Sequence, residues 1–446
     1  MIQRLLIEQL RQWAQKDGRK PLVLRGARQV GKTTIVGQFA KDFDNYIPIN
    51  LEREEDVKAF QQSDDVHKIL TFICVQKHIT IKKGKTLLFI DEIQNSAKAV
   101  ALLRYFYEEM PDLYVIAAGS RLQSLIKEKV SFPVGRVEYM SLRPCSFYEF
   151  LGATDNLALL QMIELQQIDE LYHQLAADLF NTYALVGGMP EVVAAFMKNQ
   201  DVSQLAPIYK SLIDGYKDDA EKYAKNQTQA NVIRHILQTG WSQAGSCIQF
   251  SGFGGSSYGN KEVHEALEML QKAFLLQLDY PTTSLVVPAL PALRRQPKLI
   301  WVDNGLVNYS ADIQIEYLQN KNLLDTWRGR AAEHIVAQEL NILADKYLRN
   351  NLMFWVRAKK GTDSEVDFVW IQNSQVIPIE VKTGHNSKLA SLHVFMDECP
   401  HNFAIRVWNN PFSIDDVRTR NGKQYRLLNI PFYYVGKIDE LINKYW

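Results

Sequence analysis

Short, mostly apolar runs separated by helix-like segments mark the first third of the chain. They lie at residues 22–24, 46–50, 86–90 and 113–118. Runs of this kind, without regular polar alternation, are typical of strands that are buried on both faces of a parallel sheet. Apolar residues at helical spacing, including Leu10 and Trp13, precede the first run. The pattern predicts an α/β domain built on a parallel sheet.

The pattern changes after the fourth run. Apolar residues at helical spacing fill 157–196, and a Gly-Gly-Met-Pro turn at 187–190 interrupts them. Two shorter helices at 231–237 and 262–270 are separated by a Gly- and Ser-rich loop and are followed by a strand at 274–280. This order predicts a winged-helix-like module, a fold that can place its second helix in a DNA groove. For this module a protein-contact or spacer role is the alternative to DNA binding. The acidic residues of the second helix disfavour tight phosphate contact.

A second α/β region is predicted at the C-terminal end of the chain. A helix at 328–343 is followed by strands at 353–357, 365–370 and 375–382. The second of these strands alternates apolar and polar residues, which is typical of a strand with one buried face.

The composition narrows the class of protein without deciding its function. The chain has 446 residues, of which 46% are hydrophobic and 23% charged, and its formal net charge is +1. These values exclude a polycation that binds nucleic acid through overall charge. Four scattered cysteines form no C-x-x-C pair, so neither a disulfide framework nor a thiolate zinc site is expected. A charged N-terminus and the lack of an apolar run of about 18 residues predict a cytoplasmic protein without a membrane span.

The strongest chemical signal follows the first apolar run. Residues 26–33 have the form G-x-x-x-x-G-K-T, with a strand before them and a helical pattern after them. The glycines let the main chain wrap a phosphate, and N–H groups at the helix N-terminus supply positive charge. A Gly-rich turn without chemical meaning is the alternative. The motif predicts ATP and Mg²⁺ as ligands, held by Gly26, Ala27, Arg28, Gln29, Val30, Gly31, Lys32, Thr33 and Thr34.

Individual roles follow from the chemistry of this motif. Lys32 is expected to reach the β- and γ-phosphates, and Thr33 is expected to ligate Mg²⁺. The third apolar run delivers Asp91 and Glu92 at its end. Asp91 is the expected second protein ligand of Mg²⁺, and Glu92 is the expected catalytic group that orients and polarises the attacking water. A solvated acidic turn is the alternative for this pair.

Two further polar residues are candidates for contact with the γ-phosphate. Ser120 follows the fourth apolar run and is a candidate sensor, with an ordinary strand-end cap as the alternative. Arg136 is a candidate arginine finger, a group that can accelerate hydrolysis by about 10³–10⁵. Its alternative is a surface or salt-bridged arginine. A finger that acts in trans requires a homo-oligomer, and the sequence leaves open whether Arg136 acts in cis or in trans.

Ionisable residues in the C-terminal region have the spacing of a metal-dependent nuclease. Asp367 is followed by Glu380 and Lys382, and strand alternation puts the last two on one face. Asp367 and Glu380 are expected to bind Mg²⁺, Glu333 to complete the metal shell, and Lys382 to activate water or stabilise the phosphate. A retained but inactive scaffold is the alternative. Nearby basic residues form either a phosphate-binding rim or a solvated face. They are Arg357, Lys359, Lys360, His385 and Lys388.

Four stretches of the sequence resemble a known family. GARQVGKT, LLFIDEIQ, AAGSRL and VGRVEYMSLRPCSFYEFL are similar to prokaryotic AAA-type ATPases related to the archaeal ATPases. The resemblance covers essentially the whole chain and implies ATP binding, with Lys32, Thr33, Asp91 and Glu92 in the roles given above. It also implies a C-terminal domain of restriction-endonuclease-like fold. Arg121 departs from the small polar residue that relatives often carry, which leaves the sensor assignment open.

Together these motifs divide the chain into four parts. They are a P-loop AAA-type core at 1–152, a helical lid or plain connector at 153–228, a winged-helix-like middle at 229–312 and a restriction-endonuclease-like α/β domain at 313–446. The expected function is Mg²⁺-dependent ATP hydrolysis coupled to DNA or to a protein partner through the C-terminal half. The alternatives are an ATP-gated regulatory protein with little hydrolysis and an ATP-dependent metal nuclease.

Overall fold

The computed structural model describes residues 2–82, 84–119, 133, 135–219, 224–314, 325–349, 352–358, 364–383 and 389–446. The chain folds into two compact units. The N-terminal unit comprises Arg4–Arg143 and Glu268–Leu275, and the C-terminal unit comprises chiefly Pro144–Leu267 and Leu276–Trp446. The lid, winged-helix-like and nuclease-like parts predicted from the sequence therefore fall largely within one unit. The boundary between the two units lies at 143/144, whereas the division of the chain into four parts stays a prediction.

A five-stranded parallel sheet forms the centre of the N-terminal unit. Its strands are β1 (Leu22–Arg25), β2 (Asn45–Asn50), β3 (Thr86–Asp91), β4 (Tyr114–Ala118) and β5 (Glu138–Ser141), in the spatial order β2-β3-β4-β1-β5. All four neighbouring pairs are parallel. The apolar runs correctly predicted β1 to β4. The pattern does not predict β5, because this strand is polar and only partly buried.

Helices pack against the parallel sheet. They are α1 (Leu6–Ala14), α2 (Lys32–Phe39), α3 (Glu54–Gln62), α4 (Val66–Gln76) and α5 (Ala97–Glu109). Apolar side chains of α3, α4 and α5 form one core with side chains from one face of β2, β3 and β4. On α1 the indole Nε1 of Trp13 donates to the Lys20 carbonyl at 2.9 Å. This bond ties the first helix to the segment that enters β1.

Helices also make up the first half of the C-terminal unit. They are α6 (Phe147–Ala153), α7 (Leu157–Glu164), α8 (Glu170–Val186), α9 (Pro190–Asn199), α10 (Ala206–Asp218) and α11 (Gln227–Thr239). The helical character predicted for 157–196 is confirmed, as is its interruption between α8 and α9. A lid function for these helices stays a prediction. No helix in the described ranges is both long and apolar enough to cross a membrane.

Close contacts fix the Gly-Gly turn between α8 and α9. A Cβ atom on Gly187, whose φ is +77°, would lie 2.3 Å from Asp303 Oδ1. A Cβ atom on Gly188 would lie 2.1 Å from the carbonyl oxygen of Cys145. Gly188 N also donates to Asp303 Oδ2 at 2.6 Å, and Cys145 N donates to the Gly188 carbonyl at 2.7 Å. Only glycine fits these two positions without displacement of the backbone.

A buried polar network joins distant segments of the C-terminal unit. The Tyr183 hydroxyl donates to Glu339 Oε1 at 2.6 Å, and the same oxygen accepts from Phe147 N at 3.1 Å. Burial raises the pKa of Glu339 to about 7. Burial also raises the pKa of Asp303 to about 6, although backbone N–H groups that bind its carboxylate oppose this shift. Separating the helical and C-terminal segments would leave these buried groups unpaired, which explains why they share one unit.

An antiparallel strand pair follows α12 (Asn260–Lys272). It consists of β6 (Leu276–Asp279) and β8 (Lys298–Trp301). The connection between the two strands carries β7 (Pro281–Thr282), which pairs in parallel with β9 (Met353–Val356). The helices and the strand predicted between 231 and 280 are present. The connection is nevertheless joined to another sheet, which differs from the free loop of a simple wing.

A mixed seven-stranded sheet lies in the second half of the C-terminal unit. Besides β7 and β9 it contains β10 (Glu365–Gln372), β11 (Gln375–Lys382), β12 (Phe403–Trp408), β13 (Ser413–Arg418) and β14 (Gln424–Pro431). The spatial order is β13-β14-β12-β11-β10-β9-β7. The helices of this part of the chain are α13 (Asn304–Ser310), α14 (Asp325–Lys346), α15 (Ala390–Glu398) and α16 (Ile438–Tyr445). The second α/β region predicted from the sequence is confirmed.

The Gly-Gly turn gives a test of the packing in the C-terminal unit. We expect Gly188→Ala to lower the free energy of unfolding by about 1–3 kcal/mol, because the new methyl group meets backbone atoms of Cys145. Gly215→Ala is the matched control, since a Cβ atom at this position in α10 meets nothing within 4 Å. It should raise stability by about 0.5–1 kcal/mol. Urea denaturation followed by circular dichroism measures both values, and equal stabilities would contradict the assigned contact.

Candidate nucleotide site and carboxylate cluster

The G-x-x-x-x-G-K-T motif forms a loop between β1 and α2 at the carboxyl edge of the parallel sheet. Two of its glycines have a positive φ, +148° at Gly26 and +93° at Gly31, and Gln29 has φ of +66°. Gly31 is the residue immediately before the first turn of α2. The sequence predicted this strand–loop–helix context, and the structure confirms it. Ligands of α/β sheets bind at this edge.

Gly26 is constrained by sterics as well as by its dihedral angle. A Cβ atom on Gly26 would lie 2.3 Å from the Leu142 carbonyl oxygen, just after β5. Leu142 N donates to the Arg25 carbonyl at 2.8 Å, which holds the two segments together. The phosphate loop therefore begins in direct contact with the backbone that follows β5, a contact that the spacing of the motif does not reveal.

Arg4 is a second support of the loop, and sequence reasoning missed it. Its guanidinium donates from Nη1 to the Val30 carbonyl at 2.9 Å and from Nη2 to the Arg143 carbonyl at 2.5 Å. The side chain is buried, and the two carbonyls come from the loop and from the end of the N-terminal unit. In the sequence, Arg4 is one charged residue before an amphipathic helix and gives no signal of this role.

Lys32 lies inside the loop. Its Nζ donates to the carbonyl oxygens of Gly26 at 3.0 Å and of Ala27 at 2.8 Å. Burial lowers the pKa of Lys32, while the negative charges of Glu92 and Asp91 act in the opposite direction. The ammonium is thus held among neutral carbonyl dipoles at the point where the motif predicts phosphate.

Thr33 and Asp91 bring two oxygen ligands together. The Thr33 hydroxyl donates to Asp91 Oδ2 at 2.6 Å, and Asp91 Oδ1 accepts from Glu92 N at 3.0 Å. Burial raises the pKa of Asp91, and the hydrogen bond from Thr33 opposes this rise. Mg²⁺ typically takes one or two protein oxygens together with phosphate and water. This pair fits such an ion, and Mg²⁺ ligation by Thr33 and Asp91 stays a prediction.

Glu92 has a backbone conformation that is rare for a residue with a side chain. Its φ and ψ are +50° and +43°, in the left-handed region. Strain of this kind persists where the surrounding structure enforces it and is frequent at functional sites. The Gln94 amide donates to the Glu92 carboxylate, so Gln94 orients the predicted catalytic group. Sequence reasoning did not single out Gln94.

Arg136 lies at the opposite edge of the sheet. It comes just before β5, in which Glu138 is in register with Leu22 at the start of β1. The phosphate loop leaves β1 at its other end, and four strand residues span about 13 Å. The half-exposed guanidinium donates from Nε to Glu108 at 2.7 Å. This position does not fit a finger that reaches a nucleotide in the same subunit, whereas action in trans stays a prediction.

Two other sequence predictions concern the surroundings of these sites. Ser120, the candidate sensor, lies outside the described residues. Of the predicted basic rim only Arg357 is described, and it forms an ion pair with Glu398 at 2.5 Å. That pairing agrees with the alternative of a solvated surface arginine.

The nuclease-like residues converge at the edge of β10 and β11. Lys382 Nζ lies 2.7 Å from Glu380 Oε1, which confirms that both side chains are on one face of β11. Asp367 Oδ2 accepts from Val381 N at 2.7 Å. The register between β9 and β10 shifts between Val366 and Val369, on either side of Asp367. Such irregularities redirect side chains next to functional sites.

Lys298 of β8 lies in the middle of this cluster, and sequence reasoning missed it. Its Nζ is 2.7 Å from Glu365 Oε1, 3.1 Å from Glu333 Oε2 and 3.9 Å from Asp367 Oδ1. Only 4% of its side chain is exposed. Burial lowers the pKa of Lys298, but Glu333, Asp367 and Glu365 together raise it above its ordinary value. The ammonium therefore stays charged.

The carboxylates of the cluster interact strongly with one another. The pKa of Glu380 is raised to about 8, chiefly by burial and next by the negative charge of Asp367. The positive charge of Lys382 opposes this rise. The same two causes raise the pKa of Glu333 to about 7, against the effect of Lys298. Burial and like-charge repulsion both disfavour the ionised form of a carboxyl group.

The geometry differs from the predicted metal site of Glu333, Asp367 and Glu380. Within the described ranges, no three His, Cys, Asp or Glu side chains are arranged to hold a metal ion. Glu333 and Asp367 face Lys298, and Glu380 pairs with Lys382. The predicted ligands are thus brought together, but an ammonium takes the position between two of them, and the cluster in this form does not fit a divalent cation.

Family comparisons agree with the geometry of the nucleotide site. Residues 18–151 match a family model described as an AAA domain. The matched range contains all five strands of the parallel sheet and the G-x-x-x-x-G-K-T loop. Residues 177–316 and 328–426 match two models that are both described as domains of unknown function, DUF8612 and DUF4143. None of the curated proteins matches the chain.

Solved structures with partial likeness include a Walker-type ATPase, a DNA-bound protein and a branch migration motor. The Walker-type ATPase PABY2304 of Pyrococcus abyssi is 14% identical with a TM-score of 0.44, and the match covers 70% of this chain and 96% of that chain. The Orc1 protein of Aeropyrum pernix in complex with DNA is 12% identical with a TM-score of 0.27, covering 70% and 92%. The RuvB Holliday junction branch migration motor of Thermotoga maritima is 15% identical with a TM-score of 0.27, covering 62% and 89%.

The contact between Gly26 and Leu142 predicts a specific defect in the AAA domain. Gly26→Ala should weaken nucleotide binding about tenfold or more, because the loop must shift to admit the methyl group. Gly37→Ala in α2 is the control, since its Cβ atom would meet nothing within 4 Å. Isothermal titration with a non-hydrolysable ATP analogue measures both affinities. Equal affinities in the two variants would show that the loop tolerates a side chain at Gly26.

Proposed function

We propose that this protein binds ATP with Mg²⁺ in its AAA domain and hydrolyses it, and that the C-terminal unit responds to the nucleotide state. The observation that carries the proposal is the hydrogen bond between Thr33 and Asp91 at 2.6 Å beside the loop that holds Lys32. A hydroxyl, a carboxylate and an ammonium at the carboxyl edge of a parallel sheet meet the needs of a bound triphosphate.

The roles of the residues follow from their positions. Lys32 exchanges its bonds to the Gly26 and Ala27 carbonyls for phosphate oxygens when ATP enters. Thr33 and Asp91 would hold Mg²⁺, and the ion would neutralise charge on the phosphates. Glu92, oriented by Gln94, accepts a proton from the water whose oxygen attacks the γ-phosphorus. The bond between that phosphorus and its bridging oxygen breaks, which yields ADP and inorganic phosphate.

The alternative is a nucleotide switch with little hydrolysis. Both functions need Lys32, but only hydrolysis needs the carboxylate of Glu92. The strained backbone at Glu92 and its bond to Gln94 support hydrolysis, because a switch has no use for a carboxylate held in a costly conformation.

The partner of the C-terminal unit is proposed as DNA or a protein. The order α11, α12, β6 and β8 supports a winged-helix-like module. The acidic side chains of α12, however, disfavour phosphate contact, and β7 ties the wing segment to the large sheet. Measuring ATP turnover with and without duplex DNA decides between the two classes: stimulation favours DNA, and an unchanged rate favours a protein partner.

Metal-dependent DNA cleavage is not proposed for this form of the protein. The helix, the mixed sheet and the residues Asp367, Glu380 and Lys382 support a restriction-endonuclease-like fold in the C-terminal half. The carboxylates nevertheless do not fit a metal ion while Lys298 lies among them.

Hydrolysis and switching make different predictions for two variants of the AAA domain. Lys32→Ala should weaken ATP binding about 10- to 100-fold, as expected for the loss of hydrogen bonds to a charged group. Glu92→Gln should keep the affinity and lower turnover by about 10²–10⁴-fold. Titration calorimetry and phosphate release measure the two quantities. If wild-type turnover were no higher than that of Glu92→Gln, the protein would be a switch.

The position of Arg136 predicts complementation between subunits. Arg136→Ala should lower turnover about 10³-fold if Arg136 is a finger in trans. Mixing this inactive variant with inactive Glu92→Gln should restore turnover, because one subunit then supplies the arginine and its neighbour the carboxylate. Glu108→Gln is the control that removes only the surface ion pair. If Arg136→Ala keeps full turnover, Arg136 is a surface arginine.

A further inference from the structure

Lys298 is an ammonium group enclosed by acidic side chains. Its nearest oxygens belong to Glu365, Glu333 and Asp367, at 2.7, 3.1 and 3.9 Å. Isolated burial of an ammonium costs several kcal/mol, and opposite charges must offset this cost. Three acidic side chains around one ammonium are more than a single ion pair requires. The three carboxylates provide the negative charge of a cation-binding site, and the ammonium group of Lys298 takes the place of the cation.

Glu380 has an oxygen without a partner. Its Oε1 pairs with Lys382, whereas Oε2 is buried and has no hydrogen-bond partner among the described residues. Buried polar atoms without partners are rare in native structures and frequently mark a missing ion or water. Glu380 belongs to the same cluster, because Asp367 Oδ2 accepts from the N–H of the adjacent Val381 and Phe368 is in register with Ile379.

Two contacts fix Lys298 relative to α14. Lys298 binds Glu333, and the adjacent His334 accepts at Nε2 from Trp301 N at 2.9 Å. Both ends of β8 are therefore attached to consecutive residues of one helix. β8 is also held on its other side by β6, where Asp279 is in register with Lys298. Lys298 can leave the carboxylates only if β8 shifts along α14 or the lysine side chain turns away.

We propose that Lys298 is a built-in counter-ion that blocks a divalent-cation site formed by Glu333, Asp367 and Glu380. While Lys298 occupies the cluster, the carboxylates are neutralised from within the chain and do not take up metal. Withdrawal of β8 exposes two carboxylates to solvent cations. A cation that binds there then supplies the missing partner of Glu380 Oε2. The contact is thus autoinhibitory for any metal-dependent step at this cluster, and it does not depend on the function proposed for the AAA domain.

Mn²⁺ binding tests the proposal without any enzymatic assay. The full-length protein carries Asp91→Asn in every sample, so that the nucleotide site lacks its carboxylate, and no nucleotide is added. Lys298→Met removes the ammonium but keeps the length of the side chain. Lys437→Met is the matched control, because it removes another partly buried lysine of the C-terminal unit, which pairs with Glu440 at 3.0 Å. Electron paramagnetic resonance counts free Mn²⁺ during titration.

We expect one Mn²⁺ to bind Lys298→Met at least tenfold more tightly than it binds the protein with Lys298, and Mn²⁺ to raise the melting temperature of that variant alone. Adding Glu380→Gln should abolish both effects. Lys437→Met should behave like the protein with Lys298.

Two results would overturn the proposal. In the first, the protein with Lys298 binds Mn²⁺ as tightly as Lys298→Met does, and Glu380→Gln abolishes this binding. The other is a folded Lys298→Met that binds no more Mn²⁺ than the control. If Lys298→Met does not fold, Lys298→Met with Glu365→Gln replaces it, because this pair removes one facing carboxylate together with the ammonium and keeps the three proposed ligands. The same two outcomes then apply.

Discussion

Charged groups removed from water need partners, and this constraint determines both sites of the protein. Lys32 is met by two carbonyl oxygens, Asp91 by a hydroxyl and an N–H group, and Lys298 by acidic side chains. Without such partners each buried ion would cost several kcal/mol, comparable to much of the stability of a domain. Because the partners come from different elements, the charges also fix how strands and helices meet. Asp303, which accepts from the Gly-Gly turn, and Glu339 of α14, which accepts from Phe147, join distant segments in the same way.

Local features of the site could be predicted from the sequence. The phosphate loop occupies consecutive residues, so its glycines, Lys32 and Thr33 are recognisable by their order alone. Asp91 is recognisable by a second local feature, because it is the acidic last residue of a strand that is buried along its whole length. The parallel arrangement of the strands then brings the two segments together, since their carboxyl ends share one edge. By contrast, β5 has a polar sequence and is recognisable only from its pairing with β1.

Contacts between distant residues could not be predicted. Arg4 and Val30 are 26 positions apart, and Lys298 and Glu333 are 35 positions apart. In the sequence each of these cations precedes an ordinary apolar segment, and nothing nearby indicates that its charge is buried. The sequence left open whether Arg136 acts in cis or in trans for a related reason, because it does not show at which edge of the sheet this residue lies. The register of β5 places Arg136 at the amino edge of the sheet, so that only action in trans stays a prediction.

The two buried lysines differ in how readily they can exchange partners. Lys32 donates to carbonyl oxygens, which carry only a partial negative charge. Because a phosphate oxygen carries more negative charge, the ammonium interacts more strongly with an incoming phosphate than with these carbonyls. Lys298 already has carboxylates around it, so a ligand gains nothing by competing for the ammonium unless those carboxylates are neutralised at the same time. A divalent cation meets that condition, because it replaces the ammonium with a higher charge. The first lysine is thus poised to bind an anion, whereas the second keeps its carboxylates neutralised until it leaves them.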